Sequence, residues 1–347
     1  MFSSPALLGP VILIIGLAVG YPIYWFYAAS IGEDLVTRWI EERRLQSIDI
    51  SHGSIERSGF PLLVRIDVKS PEARSSEHRF QFTSQSLSFE FRPWDFKTLR
   101  VEANGTQQLK YISTKTDQNL VFNATGIESV LSFAESNQLS AISVVTNGLQ
   151  VVDAARGRLL STKHFLTDIE FPNRAPITHK ELAFRVNVFL EGITLPKIEA
   201  PLLGNAIQKV RLKTEFLGPL TMDAFPQNLQ AWRDAGGTLE LPWLSFVWGA
   251  LDMRANGTVA LDQRMRPLGA LTADIRGFEE ALGALADAGI LRREMLPASR
   301  VTLNLLAKTD KSDGRRVLTV PLTAQDGALL VGPIKLASLP PVVPTLR

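Results

Sequence analysis

After residue 50 the apolar side chains of this chain recur at every second position, and that period constrains the fold more than any other feature. Leu62, Val64, Ile66 and Val68 alternate with Leu63, Arg65, Asp67 and Lys69. The pattern returns in Phe184, Val186, Val188 and Leu190, in Val210, Leu212, Thr214 and Phe216, in Leu271, Ala273 and Ile275, and in Val301, Leu303 and Leu305. Between 239 and 262, Leu239, Leu241, Trp243, Val247, Leu251, Met253, Val259 and Leu261 all fall on odd positions. Glu240, Asp252, Arg254, Asn256, Thr258 and Asp262 fall on even ones. Successive side chains of a strand point to opposite faces, so each run predicts a strand with one apolar and one hydrated face. Antiparallel sheets carry that asymmetry; parallel strands, buried on both faces, do not.

Asn104-Gly105, Asn147-Gly148, Asn256-Gly257, Asp313-Gly314 and Asp326-Gly327 punctuate the runs. Such dipeptides favour two-residue hairpin turns, so they predict consecutive antiparallel hairpins. Helices are expected at only three places in the body: residues 127–139, residues 223–234 before Gly236-Gly237, and residues 278–291. They should cover the sheet, since nothing in the order suggests βαβ crossovers. The fold class is therefore mainly β with a few helices (α+β).

The first thirty residues form a separate piece. Residues 6–28 carry no charge, and about 20 such residues span a bilayer as a helix. Tyr21, Tyr24, Trp25 and Tyr27 cluster at the end of the run, where an interfacial aromatic belt would lie. The expected organisation is a transmembrane anchor over 1–30 and a linker helix over 31–47. The linker is introduced by the capping-box spacing of Ser30 and Glu33. A cleaved signal peptide is the alternative, with Ala28-Ala29-Ser30 as its small-residue site. The length of the apolar run and the absence of a basic residue before Arg38 favour a retained anchor. Arg38, Arg43 and Arg44 follow the span, and by charge alone they would place the body in the cytoplasm.

Ala103-Asn104-Gly105-Thr106 recurs as Ala255-Asn256-Gly257-Thr258, each preceded by a Trp-containing strand and followed by a candidate helix. Shared order at that spacing suggests a duplication, with a first β-rich half over 48–174 and a second over 175–347. Pro172 and Pro176 mark the join.

The chemistry-bearing residues form no recognised pattern. Lys and Arg number 37 against 35 Asp and Glu, so no basic excess points to nucleic acid. There is no cysteine, which removes thiol catalysis, thiolate metal sites and disulfides together. His52, His78, His164 and His179 stand at no metal-ligand spacing, and no nucleophile elbow or phosphate-binding loop is present. Glu41-Glu42 and Glu279-Glu280 are neighbours on expected helices and diverge too far to share a site. Asn104, Asn123 and Asn256 lie in N-x-T sequons, which matter only in a eukaryotic secretory route. No catalytic residue, metal or cofactor is assigned. The strongest candidate for a binding surface is the apolar stripe Leu241, Trp243, Val247, Leu251, Met253, Val259 and Leu261, which suits an acyl chain or serves as the core face of a sheet.

Three features together carry a resemblance: the anchor with its short following helix; the sequence GSIERSGFP at residues 53–61; and the run at residues 239–277 with the later Asp326-Gly327 and Val331-Gly332-Pro333. The chain resembles the DUF2125 family of alphaproteobacterial proteins, which is similar to the AsmA-type envelope proteins. The resemblance implies a single-pass anchor in the inner membrane with the C-terminal domain in the periplasm, against the charge rule. It implies a curved, groove-like antiparallel sheet shielding an apolar trough. It also implies membrane lipid as the partner, bound or passed on within the cell envelope. A non-catalytic scaffold that binds another envelope protein is the alternative.

Overall fold

A computed structural model describes residues 5–75, 80–112, 119–153, 157–196, 203–221, 228–287, 292–311, 314–331 and 334–342. The chain divides into two compact units, residues 1–137 with 151–157, and residues 138–150 with 158–347. This division falls earlier in the sequence than the join expected near residue 174.

Unit 1 opens with helix α1 (Pro5–Leu45), followed by strands β1 (Asp49–Ser51), β2 (Ile55–Ser58), β3 (Val64–Lys69), β4 (Glu72–Ser75), β5 (Phe80–Arg92), β6 (Asp95–Ile112) and β7 (Asn119–Phe133). Pairing is antiparallel throughout: β2 with β3, β3 and β4 with successive halves of β5, β5 with β6, β6 with β7, and β1 with β4. Val64, Ile66 and Val68 are buried while their odd-numbered neighbours are partly exposed, as the period-two reading requires.

One continuous helix runs through both the expected anchor and the expected linker, without a break between them. Ser30 does not cap a new helix; its hydroxyl donates within α1 to the Tyr27 carbonyl at 2.9 Å. The clustered aromatics are partly recruited to the fold. Tyr21 donates to the Pro61 carbonyl, Tyr24 to Pro93 at 2.5 Å, and the Trp25 indole to Leu63 at 2.9 Å. Trp25, Ala28 and Ala29 are buried with Val64 and Ile66, and Val36 and Phe91 close around them. Gly32 permits this approach, because a methyl there would stand 2.8 Å from both Ile66 Cδ1 and Phe91 Cε1. Among the described residues no helix is long and apolar enough to cross a membrane.

Strand β8 (Leu139–Asp153) straddles the division. Unit 2 continues with β9 (Gly157–Glu170), β10 (Leu182–Thr194), β11 (Ala206–Leu217), helix α2 (Leu229–Asp234), β12 (Thr238–Trp248), β13 (Leu251–Leu261), β14 (Pro267–Arg276) and helix α3 (Phe278–Asp287). A 3-10 turn (Arg293–Met295), helix α4 (Leu296–Leu306), β15 (Lys308–Thr309), β16 (Arg316–Gln325), β17 (Ala328–Val331) and β18 (Ile334–Ser338) complete it. From β9 to β14 each strand pairs antiparallel with the next; β14 then pairs with β16, β16 with β17 and β17 with β18. The sheet is open and antiparallel, and the β14–β16 connection lays α3 and α4 over one of its faces.

Several sequence expectations are corrected. Residues 127–133 belong to β7, not to a helix. Ile127 lies opposite Ala103 and Leu131 opposite Leu99, and the long β6 ladder satisfies backbone groups that helical spacing would have paired locally. Val301, Leu303 and Leu305 lie on α4. The helix has a proline in its first turn and turns Leu303 inward while leaving Val301 and Leu305 exposed. The second and third expected helices are present over their described parts, Leu229–Asp234 and Phe278–Asp287; residues 223–227 and 288–291 lie outside the described residues.

None of the three Asn-Gly steps joins two strands. Gly105, Gly148 and Gly257 lie inside β6, β8 and β13. At Asn104-Gly105 the pairing with β7 slips between Ala103 and Thr106, marking a bulge. At Gly257 the neighbouring strand comes so close that an added methyl would collide with the Ala270 carbonyl and stand 2.7 Å from Leu271 Cα. Only Asp326-Gly327 turns a described hairpin, joining β16 to β17 with φ of 51° and 74°. Asp313 lies outside the described residues. Both copies of Ala-Asn-Gly-Thr thus occupy mid-strand positions with the alanine buried, Ala103 in unit 1 and Ala255 in unit 2.

Candidate functional site: an apolar cavity in unit 2

The hairpin of β12 and β13 positions the candidate stripe, and its register decides which residues share a face. Trp248 lies opposite Leu251, Phe246 opposite Met253 and Leu244 opposite Ala255. Directly opposed residues point the same way. Beyond Leu244 the register shifts, so that Leu241 lies opposite Gly257 and Leu239 opposite Val259. Pro242 sits in this break. It has no N–H to donate to the ladder, and a bulge is where a strand tolerates it. The inward face of β12 therefore runs on odd residues up to Leu241 and on even residues from Leu244.

That shift divides the predicted stripe. Leu241, Leu251, Met253, Val259 and Leu261 share one face, joined by Leu244, Phe246 and Trp248, which counting by twos had assigned to the other side. Trp243 and Val247 are corrected to the opposite face. Val247 pairs across to Asp252 and Lys209. Trp243 is 40% exposed; its indole reaches Ser245 Oγ at 3.2 Å, and the Arg254 guanidinium stacks 5.7 Å from the ring centroid. The even face of β13 and β14 is hydrated and charged, with the Arg276 guanidinium 3.9 Å from Asp252 and 2.5 Å from Asp310.

Between the inward face and the two helices lies a cavity of about 550 Å³. Phe246, Trp248, Leu251 and Met253 line one side; Ile275, Leu318, Val320 and Leu322 form the floor; Ala281, Leu285 and Leu303 approach from α3 and α4. All of the lining side chains are apolar, and the one polar atom of Trp248, its indole nitrogen, is already bonded to the Gly204 carbonyl at 2.8 Å. Small-molecule pockets span about 300–1,000 Å³ and usually present a few fixed polar groups. This cavity has the volume without the polar groups, so its chemistry suits hydrocarbon rather than a headgroup, a metal or a proton-transfer step.

The far end of the same face is filled. Leu261 packs against a core of Phe184, Leu229, Trp232 and Met265, where α2 covers β10 and β11. The Asp262 carboxylate fixes the turn beyond it, accepting from the Arg264 and Arg266 backbone amides at 2.8 Å each and from Arg266 Nε at 2.7 Å. Burial alone would raise the pKa of this carboxyl, but the Arg266 and Arg264 amides and the Arg266 guanidinium outweigh it and hold it below its usual value. On the hydrated face of β10, the hydrogen bonds that Arg185 donates to the Glu215 and then the Glu170 carboxylate hold its pKa above its usual value.

Other candidate groups are dispersed. His164 Nδ1 lies 2.6 Å from Asn147 Oδ1, His52 contacts the Gly53 carbonyl, and His78 lies outside the described residues. Among the described residues no three His, Cys, Asp or Glu side chains gather as metal ligands would.

Fold and cavity together define an open antiparallel β-sheet protein with an apolar, helix-covered cavity in one unit and a long N-terminal helix packed on the other. The chain belongs to the family described as "Uncharacterized protein conserved in bacteria (DUF2125)", which matches residues 25–340. The match begins at Trp25, where α1 becomes buried, and takes in the whole cavity. No curated protein matches the chain.

Proposed function

We propose that this is a membrane-anchored periplasmic protein of the cell envelope that binds lipid, with an acyl chain held in the unit 2 cavity and the headgroup left outside. One observation carries the reading: a cavity of about 550 Å³ whose lining residues are all apolar in type. Burying hydrocarbon there gains about 0.8 kcal/mol per methylene with no polar group to desolvate. The uncharged run at residues 6–28 would supply the anchor, and the cavity would be one segment of the groove-like trough that AsmA-type proteins share. The reading assigns no reaction to the protein and gives it no cofactor.

Native mass spectrometry of the full chain tests this. The full chain is needed because a product starting at residue 30 would lack Trp25, Ala28 and Ala29 from the unit 1 core. Wild-type protein should retain phospholipid at one molecule per chain through delipidating washes. Ala281→Phe, which fills the cavity from α3, should lose it while unfolding at an unchanged temperature. Equal lipid retention by both proteins would sink the cavity as the site.

A second reading rests on α4. Val301, Leu305 and Leu306 are exposed on that helix and Met295 on the turn before it, so this segment presents apolar side chains away from its own core. If wild-type protein emerges without lipid, the scaffold role becomes the better account, with α4 as the surface to crosslink.

A further inference from the structure

The apolar run of α1 does not end where the folded unit begins. Residues 6–28 are uncharged, and any 20-residue span drawn from them ends between residues 25 and 28. On the anchor reading, Tyr21, Tyr24 and Trp25 would therefore fall in the last two turns of the span. Those same side chains are bonded to unit 1: Tyr21 to the Pro61 carbonyl, Trp25 to Leu63 and Tyr24 to Pro93. The two segments so held, the 59–63 loop before β3 and the Pro93-Trp94 turn between β5 and β6, must lie at the same height along the helix.

Both segments present apolar side chains outward. Leu62 is 67% exposed and Trp94 56%, with Phe60 and Phe96 more than half exposed beside them. On the helix itself Ile23, Phe26 and Tyr27 are exposed at this level. Scattered apolar side chains on a surface are ordinary; three on two loops and a fourth, Phe96, at the start of β6, all beside the end of an apolar helix, form a collar. We infer that this collar, Phe60, Leu62, Trp94 and Phe96, is seated in the headgroup–acyl boundary of the bilayer that α1 enters, so that unit 1 stands directly on the membrane. Aromatic residues concentrate at that depth because their rings bury apolar area while tolerating a wet edge. The hydrogen bonds from Tyr21, Tyr24 and Trp25 join the collar to the helix without a flexible linker. The inference rests on the anchor reading and adds a docked orientation to it.

The absence of cysteine makes site-directed spin labelling direct. Leu17→Cys, Leu62→Cys, Trp94→Cys and Tyr111→Cys are each made in the full chain, labelled with a nitroxide and reconstituted into phosphatidylcholine–phosphatidylglycerol bilayers. Accessibility to oxygen and to a water-soluble nickel chelate then reports depth. Leu17 lies on the uncharged part of α1, and Tyr111 lies at the end of β6 far from Trp94, roughly 50 Å away along the strand. Labels at 17, 62 and 94 should favour oxygen, with 62 and 94 shallower than 17, and the label at 111 should favour nickel. Labels at 62 and 94 that behave like the one at 111, while 17 is in lipid, would overturn the collar and leave the anchor standing. A label at 17 in water would overturn both. Circular dichroism of each labelled protein confirms that the exposed substitutions leave the fold intact.

Discussion

At the scale of single residues, Asp262 shows how a charged group can set an apolar face. Its carboxylate closes the turn between β13 and β14 by accepting from two backbone amides and a guanidinium, which leaves Leu261 and Met265 directed into the core beside Trp232. Asp262→Asn keeps the shape and loses the charge, and should destabilise unit 2 by about 1.5–3 kcal/mol, the usual worth of hydrogen bonds to a charged group. The pH dependence has a definite sign. The carboxyl is depressed in the folded state, so its stabilisation is fully present above its unfolded pKa of about 3.9 and fades as pH falls through the lower folded value. Urea unfolding at pH 7 should therefore separate the two proteins, and the gap should narrow below about pH 4. A gap independent of pH would mean that the aspartate acts by shape alone.

At the scale of elements, α1 acts as both helix and core strut. Trp25 is buried against β3 and donates to the Leu63 carbonyl, whereas Ser30 merely bonds within its own helix. Trp25→Ala should cost about 3–5 kcal/mol of unit 1 stability. Ser30→Ala should stay within about 0.5 kcal/mol of wild type, since no helix end depends on it. Denaturant titration of the full chain in micelles compares them; a loss of about 1 kcal/mol at Ser30 would restore the capping box. Strand periodicity was legible because it is set by the local geometry of extended backbone: β3, β10, β11, β13 and β14 stand where alternation placed them. What was not legible came from pairing at a distance. Gly105, Gly148 and Gly257 look like turn residues locally and lie mid-strand; Gly257 is held there between Leu241 and Leu271 of its neighbours. Residues 127–133 have helical spacing and are held extended by β6. Trp243 and Val247 were assigned to the wrong face because one bulge at Pro242 inverts the count over the rest of β12, until the turn into β13 restores it. The proline itself was the visible signal, since a central strand tolerates one only at such a break.

At the scale of the whole chain, the two proposed membrane functions reside in different units. The helix that would anchor the protein packs on unit 1, and the cavity that would hold an acyl chain is lined wholly by unit 2. Each unit has its own buried cluster, so lesions in one need not unfold the other. A double dissociation should follow. Leu17→Lys with Val19→Lys places two charges on exposed positions of the uncharged run, each opposing insertion by about 2.5–3.5 kcal/mol. That variant should leave the carbonate-washed membrane fraction for the supernatant, yet still take up phospholipid when mixed with vesicles. Ala281→Phe should do the reverse, remaining with the membrane while carrying no lipid. If instead the charged helix also abolished lipid uptake with unit 2 still folded, loading would require attachment to the bilayer, and anchor and cavity would be successive parts of one path. If Ala281→Phe released the protein from the membrane, the cavity would be an attachment site for lipid still in the bilayer, and the assignment of the anchor to α1 would fail.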